Sequence, residues 1–203
     1  MLLVAIVFTV DQQRSRRDQD RVPITLDRLS WLDPAPTLAF ERTAGDEFQG
    51  VLEAPDQAVD LLLVLVREGW WSIGVGLGDI DTPLPTSTRA GRGPAYLRAR
   101  DAVERAKRAP AGLALHGPQP ELAEEAEALL SLLALLIGRR SPAGWQAVDL
   151  VSAGSTLSEA ADTLQVSRQA VSQRLISAGW DAERLARDPA VRLLARADSE
   201  ERA

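Results

Sequence analysis

Residues 2–10 form an unbroken apolar, β-branched run, the pattern of a strand covered on both faces. A polar stretch over 11–21 ends it. Val22, Leu26 and Leu29 recur at helical spacing around Pro23, which predicts a short helix over 22–32. Two short strands, 38–42 and 48–52, flank Thr43, Ala44, Gly45 and Asp46, where Gly45 supplies the backbone freedom a tight reversal needs. Pro55 opens a helix to about residue 68, with Ala58, Leu61, Leu62, Leu65 and Val66 on one face, and 70–78 returns as a strand. A loop rich in Pro, Thr, Ser and Gly, 83–93, precedes helical spacing over 94–107, and 112–115 adds an edge strand. Pro118 and Pro120 then interrupt any regular element. Beyond them the pattern is helical throughout, over 121–140, 144–153, two short helices joined by a turn within 156–178, and 182–197.

The order βαββαβ predicts a ferredoxin-like antiparallel sheet backed by helices over residues 1–117. An all-α domain over 121–203 follows, which makes the chain α+β with two domains. The 203 residues, 45% of them hydrophobic, suffice for a core in each. The absence of Cys rules out disulfides and thiolate chemistry, and the single His, His116, rules out a multi-His zinc site. Catalysis would have to rest on carboxylates. A formal charge of −6 argues against broad attraction to nucleic acid, so DNA contact must come from a local surface. The apolar runs 1–10 and 129–138 are each about half the roughly 20 residues a bilayer span needs. The first lacks a basic segment before it, so we expect a cytoplasmic protein that does not engage a membrane. Lys107 is the only Lys among 23 basic residues, and this Arg bias, with abundant Ala and Leu, suggests a GC-rich bacterial genome. The tryptophans at 31, 70, 71, 145 and 180 read as packing anchors.

Two-metal phosphoryl chemistry needs carboxylates converging from adjacent strands, because the ions must bridge phosphate and attacking oxygens. In a ferredoxin-like sheet the first strand lies beside the hairpin of the second and third. Asp11 at the end of the first strand then approaches Asp46 and Glu47 at the hairpin tip, and the three acids form a candidate site for Mg²⁺ or Mn²⁺ with a nucleotide. Arg14, Arg16 and Arg17 follow directly and suit phosphate as bidentate donors. A hairpin tip is also where solvated acids commonly sit, and that plainer reading stays open.

The stretches FERTAGDEFQG at 40–50, IGVGLG at 73–78 and GPAYLRAR at 93–100 together resemble the SatD family of bacterial proteins. More distantly they are similar to the palm domain of class III nucleotide cyclases and diguanylate cyclases. The resemblance covers roughly residues 1–116. It implies that Asp11 and Asp46 stand at the palm's two metal-ligand positions, with Glu47 beside them, and that Arg100 stands where cyclases keep a transition-state Arg. Two departures bear on activity. Tyr96 replaces the Asn of class III cyclases four residues before that Arg, and Ala44 precedes Gly45 where diguanylate cyclases have a doubled glycine.

The stretch STLSEAADTLQVSRQAVSQRL at 155–175 fits a helix-turn-helix. Its first helix buries Leu157, Ala160, Ala161 and Leu164, Val166 lies in the turn, and Ser167 caps a second helix whose inner side is Ala170, Val171 and Leu175. It resembles the helix-turn-helix of many bacterial transcription regulators and sigma-factor-like regulators. The outer face then carries Ser167, Arg168, Gln169, Ser172, Gln173 and Arg174. Arg168 suits guanine and Gln169 or Gln173 adenine, with Ser172 and Arg174 left for phosphate. Residues 141–203 hold seven Arg against nine Asp and Glu, so one copy binds weakly and a homodimer is expected on double-stranded DNA. These features predict a DNA-binding transcriptional regulator whose N-terminal half binds a nucleotide and metal or persists as a vestigial, cyclase-like scaffold. The alternatives are a Mg-dependent nucleotidyl cyclase or transferase, and a pair of interaction modules without ligand.

Overall fold

The computed structural model describes residues 2–15, 17–29, 32 and 34–198, and of residues 2–4 the backbone alone. Trp31 lies outside the described residues. Five strands, β1 (Leu2–Gln12), β2 (Leu38–Arg42), β3 (Glu47–Leu52), β4 (Trp71–Asp81) and β5 (Leu113–His116), form one sheet in the order β2-β3-β1-β4-β5. Among the described residues eight α-helices complete the mixed α/β architecture: α1 (Val22–Arg28), α2 (Pro55–Glu68), α3 (Pro94–Ala106), α4 (Pro120–Gly138), α5 (Pro142–Ser152), α6 (Leu157–Leu164), α7 (Arg168–Ser177) and α8 (Trp180–Asp198).

The first four strands pair antiparallel, with Asp11 opposite Glu47 on one side and Ser72 on the other. The fifth corrects the expectation of an antiparallel sheet. β5 runs parallel to β4, Ile73 opposite Leu113, because α3 carries the chain back to the starting end before β5 begins. The sheet is therefore mixed.

Alternation along the central strand β1 sends side chains to two different covers. Ile6, Phe8 and Val10 join Val22 and Leu29 of α1, Leu61 and Leu65 of α2, Leu130 and Leu133 of α4 and Leu194 of α8 in one apolar cluster. Ala5 and Val7 face the other way, onto Ala95, Tyr96 and Ala99 of α3. Gly74 and Gly76 permit that second contact. A Cβ on either would run into the α3 backbone at Ala95, Ala99 or Val103, so the helix rests directly on β4. The principal cluster thus runs past Gly117, since α4 and α8 lie on the same sheet face as α2.

Helices α5, α6 and α7 hold a smaller cluster of their own, Ala147, Ala160, Ala161 and Val171, with Leu157, Leu164, Val166 and Leu175 packed around it. Thr156 and Glu159 form a reciprocal capping box at the start of α6. Gln165 ends that helix in the left-handed region at φ 52°, and the Ser167 hydroxyl caps α7 by accepting from the Ala170 amide at 3.1 Å.

One buried arginine ties this unit to the larger core. Arg140, its side chain fully enclosed, donates to the Ala178 carbonyl at 3.0 Å, forms an ion pair with Glu183 of α8 at 2.7 Å, and stacks over Trp145. Arg67 of α2 adds a bidentate contact to Asp149 of α5 at 2.6 and 2.7 Å. Trp71 packs edge-on against Phe48, as an anchor should. Trp70 departs from that reading, being 39% exposed with the Arg21 guanidinium over its ring.

Candidate functional site

The end of the sheet where β1 stops and β4 starts gathers the acidic group. Asp11 and Glu47 face each other in register, and the Asp46 charge acts on Asp11. Each acid nevertheless has its own surroundings. Asp11 accepts an ion pair from Lys107 at 3.1 Å, and Lys107 also reaches Glu104 at 2.7 Å. Glu47 accepts a hydrogen bond from the Thr43 hydroxyl at 2.5 Å. Asp46 opens instead onto a separate cleft of about 540 Å³ lined by Asp18, Asp20 and Arg42, in which Arg42 pairs with Asp20 at 2.5 Å.

Burial raises the Asp11 carboxyl above its ordinary value, Lys107 works against that rise, and the charges of Asp46 and Glu104 reinforce it. For Lys107, burial opposes the charged form, but Glu104 and Asp11 outweigh it and hold the ammonium above its usual range. Lys107 is therefore a standing counter-ion to Asp11. Among the described residues no group of three or more His, Cys, Asp or Glu is arranged to hold a metal ion.

Of the candidate phosphate ligands, Arg14 and Arg17 are exposed on the turn after β1, and Arg17 donates its backbone amide to the Arg14 carbonyl. Arg16 lies outside the described residues. Arg100 is exposed on α3, two turns before Lys107. Arg14, Asp11 and Lys107 line a larger cleft of about 640 Å³, which also takes in Ser72 of β4 and Arg139 at the end of α4. Lys107, Ser72 and Arg139 were not singled out by the sequence. The lone Lys in an Arg-rich chain was the available signal for the first, whereas Ser72 and Arg139 gain meaning only from the tertiary fold.

The α7 face is the second candidate surface. Arg168, Gln169 and Gln173 are exposed on it, and Ser172 is half-buried between them and the inner side. Arg174 is also half-buried, next to the inward Leu175, and Ser167 is exposed with its hydroxyl engaged in the cap. Val171 on the opposite side is fully buried, which fixes the rotation of α7 about its axis. No family model, no curated protein and no solved structure matches the chain. Among the described residues no helix is long and apolar enough to cross a membrane.

Proposed function

We propose that the protein is a bacterial DNA-binding transcriptional regulator, a homodimer in which α6 and α7 form a helix-turn-helix and α7 enters the major groove. The observation that carries this reading is the row Arg168, Gln169 and Gln173, exposed on a capped helix whose other side is held by buried Val171. Arg and Gln side chains projecting from a recognition helix are suited to bidentate contact with guanine and adenine. The acidity of the chain is consistent with dimeric binding, since two copies double the phosphate contacts and place their helices about 34 Å apart on successive turns of the duplex.

The first four strands we read as a ferredoxin-like palm of the SatD kind. Lys107 on Asp11 supports a scaffold role for it over metal-dependent cyclisation, because the ammonium already supplies the counter-charge a cation would bring. Incubation with each NTP and Mg²⁺ or Mn²⁺ is expected to give no product; turnover would favour the enzyme instead.

Selection from randomised duplexes at low salt tests the DNA reading. Wild type should enrich one motif. Arg168→Ala and Gln173→Ala should relax it, each base contact being worth roughly 1–3 kcal/mol, whereas Arg174→Ala should weaken all sequences alike. A bound pool without any enriched motif would overturn the assignment.

A further inference from the structure

Helix α4 carries an apolar stripe on the side away from the sheet. Its inner positions, among them Leu130, Leu133 and Ile137, are buried. Leu132 lies on the outer side and is 66% exposed, with Ala128 exposed one turn before it and Leu129 and Leu136 half-buried alongside. A lone exposed Leu is ordinary. A row of apolar positions at three- and four-residue spacing is instead the pattern of a face that packs against another helix.

Charge identifies what covers the stripe. Glu125 stands two turns before Leu132 and Arg139 two turns after it, both exposed and both in line with Leu132 down the outer face. Neither has an ion-pair partner among the described residues, whereas Glu127, on the flank of the helix, is held by Arg105. The two charges are equidistant from Leu132 along the chain and opposite in sign. Such a stripe is complementary to itself turned end for end.

We propose that the outer face of α4 is a dimer interface, closing antiparallel on α4 of a second copy of this chain with Leu132 on the two-fold axis. In that register Glu125 meets Arg139 of the partner subunit, Leu136 packs on the partner's Ala128 and Leu129 on the partner's Leu135, each contact occurring twice as a two-fold requires. Parallel pairing would set Glu125 against Glu125 and Arg139 against Arg139 and would align the two helix dipoles, so charge selects the antiparallel arrangement. A membrane surface is the poorer occupant, because interfacial helices carry Lys and Arg on their polar side and α4 begins with Glu121, Glu124 and Glu125. This names the face of the homodimer proposed above and rests on that dimer, not on DNA binding.

Sedimentation equilibrium of the full chain without DNA, from micromolar to millimolar concentration, reads the association directly. Wild type should show a reversible monomer–dimer equilibrium. Glu125→Arg alone and Arg139→Glu alone each bring like charges together twice per dimer and should weaken association by about tenfold or more. The double variant Glu125→Arg, Arg139→Glu restores both pairs and should return to within about threefold of wild type. An equimolar mixture of the two single variants should form a heterodimer at a concentration where each alone is monomeric, a result that a folding defect in either chain would not produce. Leu97→Glu, at a position 62% exposed on α3 across the sheet, should leave the equilibrium unchanged. A wild type that stays monomeric throughout overturns both this face and the homodimer. A dimer that the single variants leave intact, or that the double variant and the mixture fail to restore, overturns the face and leaves the homodimer standing.

Discussion

Asp198, at the end of α8, is 7% exposed, and its Oδ1 accepts from the Gly78 amide at 2.8 Å. Burial pushes its carboxyl up to about 7, with the Asp79 charge adding to the rise and the Gly78 amide and Arg98 opposing it. In the unfolded chain the same group titrates near 3.8. Between those values the native state holds a proton that the unfolded state has lost, so raising the pH favours unfolding. This residue's contribution to stability is then present below about pH 4 and is lost as pH rises to about 7. Asp198→Asn is expected to flatten that slope, which Tm measured from about pH 4 to about pH 8 would reveal; an unchanged profile would mean the carboxyl is ionised in the fold. Nothing in the sequence around residue 198 marks it, because its partner, Gly78, is 120 positions away.

At the scale of elements, close approach of α3 to β4 depends on Gly74 and Gly76. Gly76→Ala would place a methyl against the backbone at Ala95 and Ala99, which cannot swing aside as a flexible side chain would. The helix must lift, and a loss of about 2 kcal/mol or more is expected in urea denaturation. Gly45→Ala is the informative contrast, since that Cβ meets nothing within 4 Å and only its φ of 56° resists. The positions of these elements were largely legible in the chain. Pro55, Pro94 and Gly69 mark helix ends, and the alternation of β1 and the capping pattern at Thr156 and Glu159 act locally. The parallel pairing of β5 was not legible. Four residues, Leu113–His116, fit either direction, and only the route of α3 decides between them.

Over the whole molecule, the same lack of local information hid what α4 and α8 do. Leu129 to Ile137 is apolar almost around the helix, so its period does not say which side meets the sheet; Leu130, Leu133 and Ile137 do, while Leu132 stays 66% exposed. The candidate site was legible to a similar extent. The Asp11 and Glu47 proximity followed from topology, but the reach of Lys107 onto Asp11 depends on where α3 stops. Because α4 and α8 share one core with the sheet, a chain ending at residue 117 leaves Leu61, Leu65, Leu77 and Leu115 without their cover. Such a fragment should bind a hydrophobic dye and lose the cooperative urea transition reported by Trp71 in the full chain. A sharp transition in the fragment would show that 1–117 folds alone. The central place of β1 has a consequence for biosynthesis. Its neighbours β3 and β4, and the α8 helix packed against it, all come later in the chain. At roughly 5–20 residues per second, translation leaves this apolar strand bare for several seconds. Pairing of β1 into the sheet therefore waits until β3 and β4 have been synthesised.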